Sequence, residues 1–159
     1  MSPTKRIWAP WRMSYIKGPK EGECVFCFDP SLDEERHVLR REEHAFVLLN
    51  KYPYTNGHLL VVPAKHAGHP RDLDRKEYQA LTTLLLFSMN ALEKILAPQG
   101  MNVGMNLGRV AGAGVDEHLH FHIVPRWDGD HNYVAVVGEV RVINEHLDET
   151  YRQLKPAFK

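Results

Sequence analysis

Several features that would assign this chain to a common class of protein are missing from its sequence. It contains no apolar run of the roughly 20 residues that a membrane-spanning helix needs. The first 19 residues lack the apolar central segment of a secretory signal. Basic and acidic side chains number 20 each, so no excess charge favours a nucleic acid polymer or an acidic membrane as a partner. We therefore expect a cytoplasmic protein that acts without a membrane.

Cysteine is scarce as well. The sequence has two cysteines, Cys24 and Cys27, spaced as C-x-x-C. In a reducing compartment this spacing indicates metal or redox chemistry rather than a structural disulfide. The βαβ pattern that surrounds a thioredoxin-like redox pair is absent, which leaves a metal site or two free thiols. Because a structural zinc needs four Cys or His ligands and there is no second C-x-x-C, histidines would have to complete such a site.

The remaining sequence predicts one α+β domain built on an antiparallel sheet. A capping box at Asp74 and Glu77 starts a long helix that runs to about Leu96. A short last helix starts at Asn144. Residues 1–22 are predicted to form an N-terminal arm, and residues 23–159 the domain, with a C-terminal extension at 128–159. Strands are predicted at 36–41, 44–49, 58–63, 101–107 and 118–125.

The sequence is rich in histidine, and three of its ten histidines alternate with apolar residues in the segment HLHFHIVP, residues 118–125. Successive side chains of a β-strand point to opposite faces. His118, His120 and His122 therefore share one face of the predicted strand. Imidazoles two residues apart lie about 6.5–7 Å from each other along a strand. Such a row suits a metal site or a phosphate group, because imidazole is a ligand, a proton carrier and a nucleophile near neutral pH.

A glycine-rich loop precedes this strand. Gly108, Gly112 and Gly114 lack the Cβ that would block close approach, so backbone N–H groups there could converge on an anion. Arg109 could add positive charge. The alternative is a loop that only connects two strands.

The segment HLHFHIVP resembles the His-φ-His-φ-His-φ-φ signature of the histidine-triad (HIT) superfamily of nucleotidyl hydrolases and transferases. The resemblance is greatest to the bacterial, fragile-histidine-triad-like branch, which acts on dinucleoside polyphosphates such as diadenosine tetraphosphate. It implies a single HIT-like domain. Further matching segments follow in the expected order: the C-x-x-C pair, Asn50, GHLLVVP at 57–63, His66 and Pro125-Arg126-Trp127.

The resemblance also implies catalytic roles. His120 would be the nucleophile that attacks the α-phosphorus and forms a nucleotidyl-histidine intermediate. His122 would contact the phosphate and assist the leaving group. The second step would use either water or inorganic phosphate. Animal members carry Gln four residues before the first triad histidine, where this chain has Gly114, and this difference leaves the acceptor open.

By the same resemblance, Asn50 would contact the ribose, with Phe46 and Leu48 on the same side by alternation. His58 lies near this region, and no definite role is assigned to it. The nucleotide- and phosphate-binding set implied by the family comprises Asn50, Asn106, Gly112, Ala113, Gly114, Val115 and His122.

Zinc-containing members of the superfamily resemble this chain at the cysteine pair. This resemblance implies a structural zinc bound by Cys24, Cys27, His66 and His118, with His69 as the alternative ligand to His66. The resemblance to the family as a whole also implies a homodimer formed through the long helix and the sheet edge. The alternatives to a dinucleoside polyphosphate enzyme are a nucleoside phosphoramidate hydrolase, a non-catalytic nucleotide-binding protein and a zinc-dependent structural module.

Overall fold

The computed structural model describes residues 24–130 and 143–159; the predicted N-terminal arm at 1–22 lies outside them. The described residues form one five-stranded antiparallel sheet in the order β1-β2-β3-β5-β4. One long and one short C-terminal helix accompany it, which confirms the predicted α+β class. The elements are β1 Val38–Arg41, β2 Ala45–Leu49, β3 Leu59–Pro63, α1 Arg75–Leu96, β4 Gly100–Gly104, β5 Phe121–Arg126 and α2 Leu147–Leu154.

Alternation along the strands divides the core into two clusters, one on each face of the sheet. On the helix side, the odd-numbered residues Leu119, Phe121 and Ile123 pack with the apolar side chains of α1 and α2. On the other face, a second cluster gathers Phe26, Phe46, Leu48, Leu60 and Val62. The histidines at even positions are therefore carried on the face opposite to the helices, as the strand pattern predicts.

The long helix begins where its capping box predicts. The Asp74 carboxylate accepts from the Glu77 N–H at 2.9 Å, and the Glu77 carboxylate accepts from the Asp74 N–H at 2.8 Å. Helix α1 ends at Leu96, and Ala97 caps it in the left-handed region with φ of 44°. None of the helices in the described ranges is long and apolar enough to cross a membrane.

Two predicted strands are shorter than the sequence indicated. Strand β5 begins at Phe121 instead of His118, because the Leu119 N–H donates to the Ala67 carbonyl at 2.7 Å. The His118 carbonyl in turn accepts from the His120 ring at 2.9 Å, so residues 118–120 do not join the ladder. Strand β4 ends at Gly104 instead of residue 107, because its pairing with β5 stops at His122.

The first and last predicted elements also begin later. Strand β1 starts at Val38 rather than residue 36, after His37 turns the chain with φ of 56°. Helix α2 starts at Leu147 rather than Asn144, because the His146 side chain caps it by accepting from the Asp148 N–H. The Lys155 ammonium that follows α2 donates to the carbonyls of Val38 and Leu39 at 2.8 and 3.0 Å, which fixes this end of the chain to an irregularity in β1.

Candidate active site and metal cluster

His120 is held in the tautomer that a nucleophile requires. Its side chain is buried, and its Nδ1 lies 2.9 Å from the carbonyl oxygen of His118. Since a carbonyl can only accept, Nδ1 carries the proton and Nε2 retains its lone pair. Burial lowers the pKa of His120 below its ordinary value, although the bond to the His118 carbonyl favours the charged form. The ring is therefore neutral at pH 7, with Nε2 able to attack an electrophile.

His122 lies beside His120 and presents a hydrogen-bond donor where His120 presents an acceptor. Its Nδ1 lies 2.9 Å from Nε2 of His58, a residue with no exposed surface. The Tyr54 N–H donates to His58 Nδ1 at 3.1 Å, so the proton of His58 is on Nε2 and is donated to His122. The proton of His122 is then on its own Nε2. A backbone N–H and two imidazoles thus fix a hydrogen-bond donor beside the lone pair of His120.

Burial also determines the charge of His122. It lowers the pKa of His122 to about 4, with a smaller contribution from the neighbouring His120. The His120 and His122 ring centroids are 4.9 Å apart. At neutral pH the pair consists of one neutral acceptor and one neutral donor, which suits an incoming phosphoryl group.

His58 is a functional residue to which the sequence assigns no definite role. The sequence does contain a hint of a role. His58 directly precedes the apolar run of β3, and a polar side chain buried there needs a hydrogen-bond partner. Its partner could not be inferred locally, since His58 meets His122 only when β3 pairs with β5.

Asn50 lies on the other side of His58 from the catalytic pair. Its Nδ2 is 3.3 Å from His58 Nδ1, and its Oδ1 accepts from the Tyr52 N–H at 2.9 Å. Phe46 and Leu48 share its face but are 1% and 7% exposed, covered in part by Phe28, whose ring contacts that of Phe46 at 5.7 Å. Phe46 and Leu48 therefore lie buried beneath the surface at which Asn50 would meet a ribose.

The glycine loop folds back on itself before β5. Gly108 and Gly112 have φ of 81° and 90°, a region that glycine adopts without strain. The Asn106 amide donates across the loop to the Gly112 carbonyl at 3.4 Å, and the Ala113 N–H donates to the Gly108 carbonyl at 3.3 Å. Among the other loop residues, Val115 packs on the cluster around Phe26, and Nε of Arg109 lies 3.7 Å from the Asp116 carboxylate.

A cavity of about 750 Å³ opens beside His122 and Asn106. Strands β4 and β5 contribute Asn102 and Arg126 to its wall, and Trp127 follows from the end of β5. This volume lies in the range of small-molecule sites.

The four residues expected to bind zinc come together. The ligand atoms of Cys24, Cys27, His66 and His118 all lie within 4.8 Å of one another. His118 Nδ1 is 3.3 Å from Cys24 Sγ and 3.5 Å from Cys27 Sγ, and His66 Nδ1 is 3.4 Å from Cys27 Sγ. A tetrahedral zinc with ordinary bond lengths separates sulfur and nitrogen ligands by about 3.6 Å.

Further contacts favour this ligand set. His118 Nε2 donates to the Pro63 carbonyl at 2.9 Å, which leaves the Nδ1 lone pair facing the cysteines. His69, the competitor for His66, is engaged elsewhere, since its Nδ1 accepts from the Arg71 N–H. The donor set and its spacing fit a structural zinc.

Comparison with known proteins places this arrangement in a family. The sequence pattern of the HIT domain matches residues 32–129, more than half of the chain. The chain belongs to the HIT family. This membership confirms the resemblance indicated by the histidine strand, and the single long-helix α+β architecture agrees with it.

Relatives of the chain carry related names. An AP-4-A phosphorylase of Mycobacterium tuberculosis is 37% identical over 160 residues, which cover 94% of this chain and 82% of that protein. The adenosine 5'-monophosphoramidase hnt1 of Schizosaccharomyces pombe is 31% identical over 103 residues, covering 65% and 74%. A zinc-bound histidine triad protein of Mycobacterium smegmatis superposes with a TM-score of 0.68 and 25% identity, covering 86% of this chain and 93% of its own. The named relatives agree with the enzyme class predicted for this chain.

Proposed function

We propose that this protein is a nucleotidyl hydrolase or transferase that cleaves dinucleoside polyphosphates, such as diadenosine tetraphosphate, at the α-phosphorus. The observation that carries the proposal is the neutral His120, whose Nε2 lone pair stands beside an N–H donor on His122. The name of the M. tuberculosis relative supports the choice of substrate class.

The reaction proceeds by two displacements. His120 Nε2 forms a bond to the α-phosphorus, and the bond from that phosphorus to the bridging oxygen breaks. His122 keeps its proton and donates a hydrogen bond from Nε2 to a phosphoryl oxygen or to the departing oxygen, which leaves as a phosphate anion. Water or inorganic phosphate then attacks the same phosphorus, the N–P bond breaks, and His120 is regenerated.

The remaining predicted ligands are assigned around this centre. Asn50 holds the ribose on the β2 side of His58, and Asn106 meets the phosphates on the other side. Support for Asn106 comes from its place beside His122 in one cavity and from its bond to the Gly112 carbonyl. Gly112, Ala113, Gly114 and Val115 supply backbone contacts to the phosphate chain.

Cys24, Cys27, His66 and His118 would hold a structural zinc. When bound, zinc cross-links the segments that carry these residues and supplies no reactive group. His118 then serves as an anchor whose carbonyl fixes the ring of His120.

We also propose a cytoplasmic homodimer. The β4 edge is largely exposed, and Leu86 on α1 has 58% of its surface exposed, which supports an interface along the sheet edge and the long helix. The chain divides into an arm at 1–22 and a domain at 23–159, whose extension at 128–159 carries α2.

Trapping the covalent intermediate tests the proposed mechanism. After brief mixing with diadenosine tetraphosphate and acid-free quenching, intact-mass spectrometry should find one added nucleoside monophosphate on the wild-type protein. His120→Ala should show neither adduct nor turnover. His44→Ala, which removes a partly exposed histidine from the β1–β2 turn, serves as the matched control and should retain both. Turnover by His120→Ala would overturn the proposal.

The products identify the acceptor. ADP and ATP formed only when inorganic phosphate is present indicate phosphorolysis, whereas AMP and ATP indicate hydrolysis. The S. pombe relative favours one second candidate, phosphoramidate hydrolysis. Adenosine 5'-phosphoramidate turned over in preference to diadenosine tetraphosphate would establish it. Tight nucleotide binding without any product would instead indicate a non-catalytic binding protein.

A further inference from the structure

The side chain of Tyr54 lies against His58 and His122, the two imidazoles that share a hydrogen bond. Its ring centroid is 4.6 Å from that of His58, with 44° between the planes. The His122 centroid is 6.1 Å away, with 13° between the planes. His58 has no exposed surface, whereas 36% of Tyr54 is exposed. The phenol ring therefore forms part of the layer that separates the buried His58 from solvent.

Hydrogen bonds on either side of Tyr54 hold its loop against β3 and β5. The buried Thr55 hydroxyl donates to the Pro125 carbonyl at 2.8 Å, three residues beyond His122. The His58 N–H donates to the Thr55 carbonyl at 3.3 Å, which closes the turn. Because Tyr54 also donates its own N–H to His58 Nδ1 at 3.1 Å, its backbone and its ring engage the same imidazole.

The hydrogen bond from His58 to His122 depends on the exclusion of water. It joins two neutral rings over 2.9 Å. Such a bond contributes little when water can replace either partner, and it is stronger where water is excluded. If water reached Nε2 of His58, the proton there could be donated to that water, and His122 Nδ1 would lose the donor that fixes its tautomer.

We propose that Tyr54 is a positioning residue whose ring covers the His58–His122 hydrogen bond and excludes water from it. The effect on catalysis rests on the proposed function and deepens it, since Tyr54 acts through the two histidines and not on the substrate. The loop backbone supplies a hydrogen bond to His58, and the side chain supplies the cover. A substitution at Tyr54 therefore tests the ring while the backbone donor stays in place.

Burial has a greater effect than neighbouring charges on the protonation of His122. It is the larger cause that lowers the pKa of His122 to about 4, and His120 adds to it. Other ionisable groups among the described residues of the cavity wall bond elsewhere. Arg126 donates to the Asp130 carboxylate at 2.6 and 3.0 Å, and Glu145 accepts from a threonine hydroxyl at 2.6 Å. Loss of cover should therefore raise the pKa of His122.

Nuclear magnetic resonance of histidine-labelled protein without substrate tests the cover. In the wild type, the Nε2 proton of His58 should exchange slowly enough at pH 7 to give its own resonance, which His58→Gln identifies by its absence. Tyr54→Ala should increase the exchange rate by about 10-fold or more, because the site opens to solvent. It should also raise the pKa of His122. Tyr54→Phe, which keeps the ring, should retain slow exchange and the low pKa.

Steady-state kinetics with diadenosine tetraphosphate tests the effect on catalysis. Tyr54→Ala should lower kcat by about 10-fold, a part of the roughly 100-fold that loss of a whole hydrogen-bond donor costs. KM should stay close to the wild-type value, because the ring acts on the imidazoles. Tyr54→Phe should recover most of kcat. Tyr78→Ala removes a tyrosine that is 39% exposed on α1 and serves as the matched control, with the kcat and the proton exchange of the wild type.

Three results would overturn the assignment. Slow exchange and full kcat in Tyr54→Ala would show that the hydrogen bond does not need the ring. A loss confined to KM would show that the ring contacts the substrate instead. Equal losses in Tyr54→Ala and Tyr54→Phe would assign the effect to the hydroxyl group.

Failure of the proposed function gives a different result. If the wild-type protein cleaves no dinucleotide, the exchange measurement still applies, because it needs no substrate. Fast exchange in Tyr54→Ala with slow exchange in Tyr54→Phe would then support the positioning role, and slow exchange in both would overturn it. Tyr54→Leu leaves a smaller cover and should exchange at a rate between those of the other two variants, so the test stands if the alanine variant does not fold.

Discussion

His58 controls which nitrogen of His122 carries a proton. It is buried, receives the Tyr54 N–H on Nδ1 and donates from Nε2 to His122. Without that donor, the neutral His122 ring could place its own proton on Nδ1 and present a lone pair to the phosphate. We therefore regard His58 as a positioning residue that acts through His122.

Replacing His58 with Phe tests this role. We expect kcat for dinucleotide cleavage to fall by about 100-fold, the typical worth of one correctly placed proton donor. His58→Gln, whose amide can still donate to His122, should recover part of the loss. A merely structural role would lower the melting temperature of both variants without separating their kcat values, and full activity of His58→Phe would contradict the assignment.

The low pKa of His122 makes stability depend on pH. The folded value of about 4 lies below the ordinary value of about 6.5, so the unfolded chain binds a proton that the folded chain does not. The stabilisation is complete above pH 6.5 and is lost as the pH falls from 6.5 to 4. For a fully buried ring the shift corresponds to about 3 kcal/mol, an upper limit here because part of the ring contacts solvent.

Urea unfolding of wild type and His122→Gln across pH 4–7 measures this dependence. We expect the free energy of unfolding of the wild type to fall more steeply on acidification than that of the variant, by up to about 2 kcal/mol over the window. Parallel curves of unfolding free energy against pH would show that His122 does not contribute to the pH dependence of stability. Comparing the two proteins cancels the acid response of the cysteine–histidine cluster, which both retain.

At the scale of elements, the start of α1 depends on two reciprocal hydrogen bonds. Asp74→Ala removes the acceptor for the Glu77 N–H and should lower the free energy of unfolding by about 1 kcal/mol, measured by urea denaturation. Asp72→Ala removes an exposed acid just before the helix and should change it by less than about 0.5 kcal/mol. If both substitutions lower the free energy of unfolding equally, Asp74 stabilises the helix only through its negative charge and not through its hydrogen bond.

The elements differ in how far the sequence could predict them. Helix α1 starts where expected because its cap is encoded within four consecutive residues, and β2 is correct to one residue because its apolar run is bounded by turn residues. The beginning of β5 could not be predicted, since Leu119 leaves the ladder for Ala67, which is distant in sequence. The choice of His66 over His69 as the histidine nearest Cys27 likewise depends on how the loop after β3 folds.

At the scale of the molecule, the cysteine–histidine cluster joins the turn before β1 to the two segments that follow β3 and precede β5, strands that pair directly with each other. Cys24 and Cys27 lie in the turn before β1, His66 follows β3, and His118 precedes β5. A metal here would also hold Phe26, whose ring contacts both His118 and His120 at 5.5 and 5.2 Å. A metal in the cluster would therefore affect both the stability of the fold and the position of the His120 ring.

Metal analysis and chelation test the cluster. We expect about one zinc per chain by mass spectrometry of the purified protein, and removal by a chelator should lower Tm by at least about 3 °C. Cys24→Ser should abolish zinc binding, whereas His69→Ala should retain it. Wild-type protein that binds no zinc and keeps its Tm in chelator would contradict the prediction.

The ligands of this cluster are 94 positions apart in the chain, from Cys24 to His118. A ribosome adds roughly 5–20 residues per second, so about 5–20 s pass between the emergence of the first thiol and that of the last imidazole. During this interval the two cysteines of the nascent protein lack their histidine partners. Synthesis of this chain therefore passes through a stage in which the cysteine pair has emerged and the four-residue cluster cannot yet form.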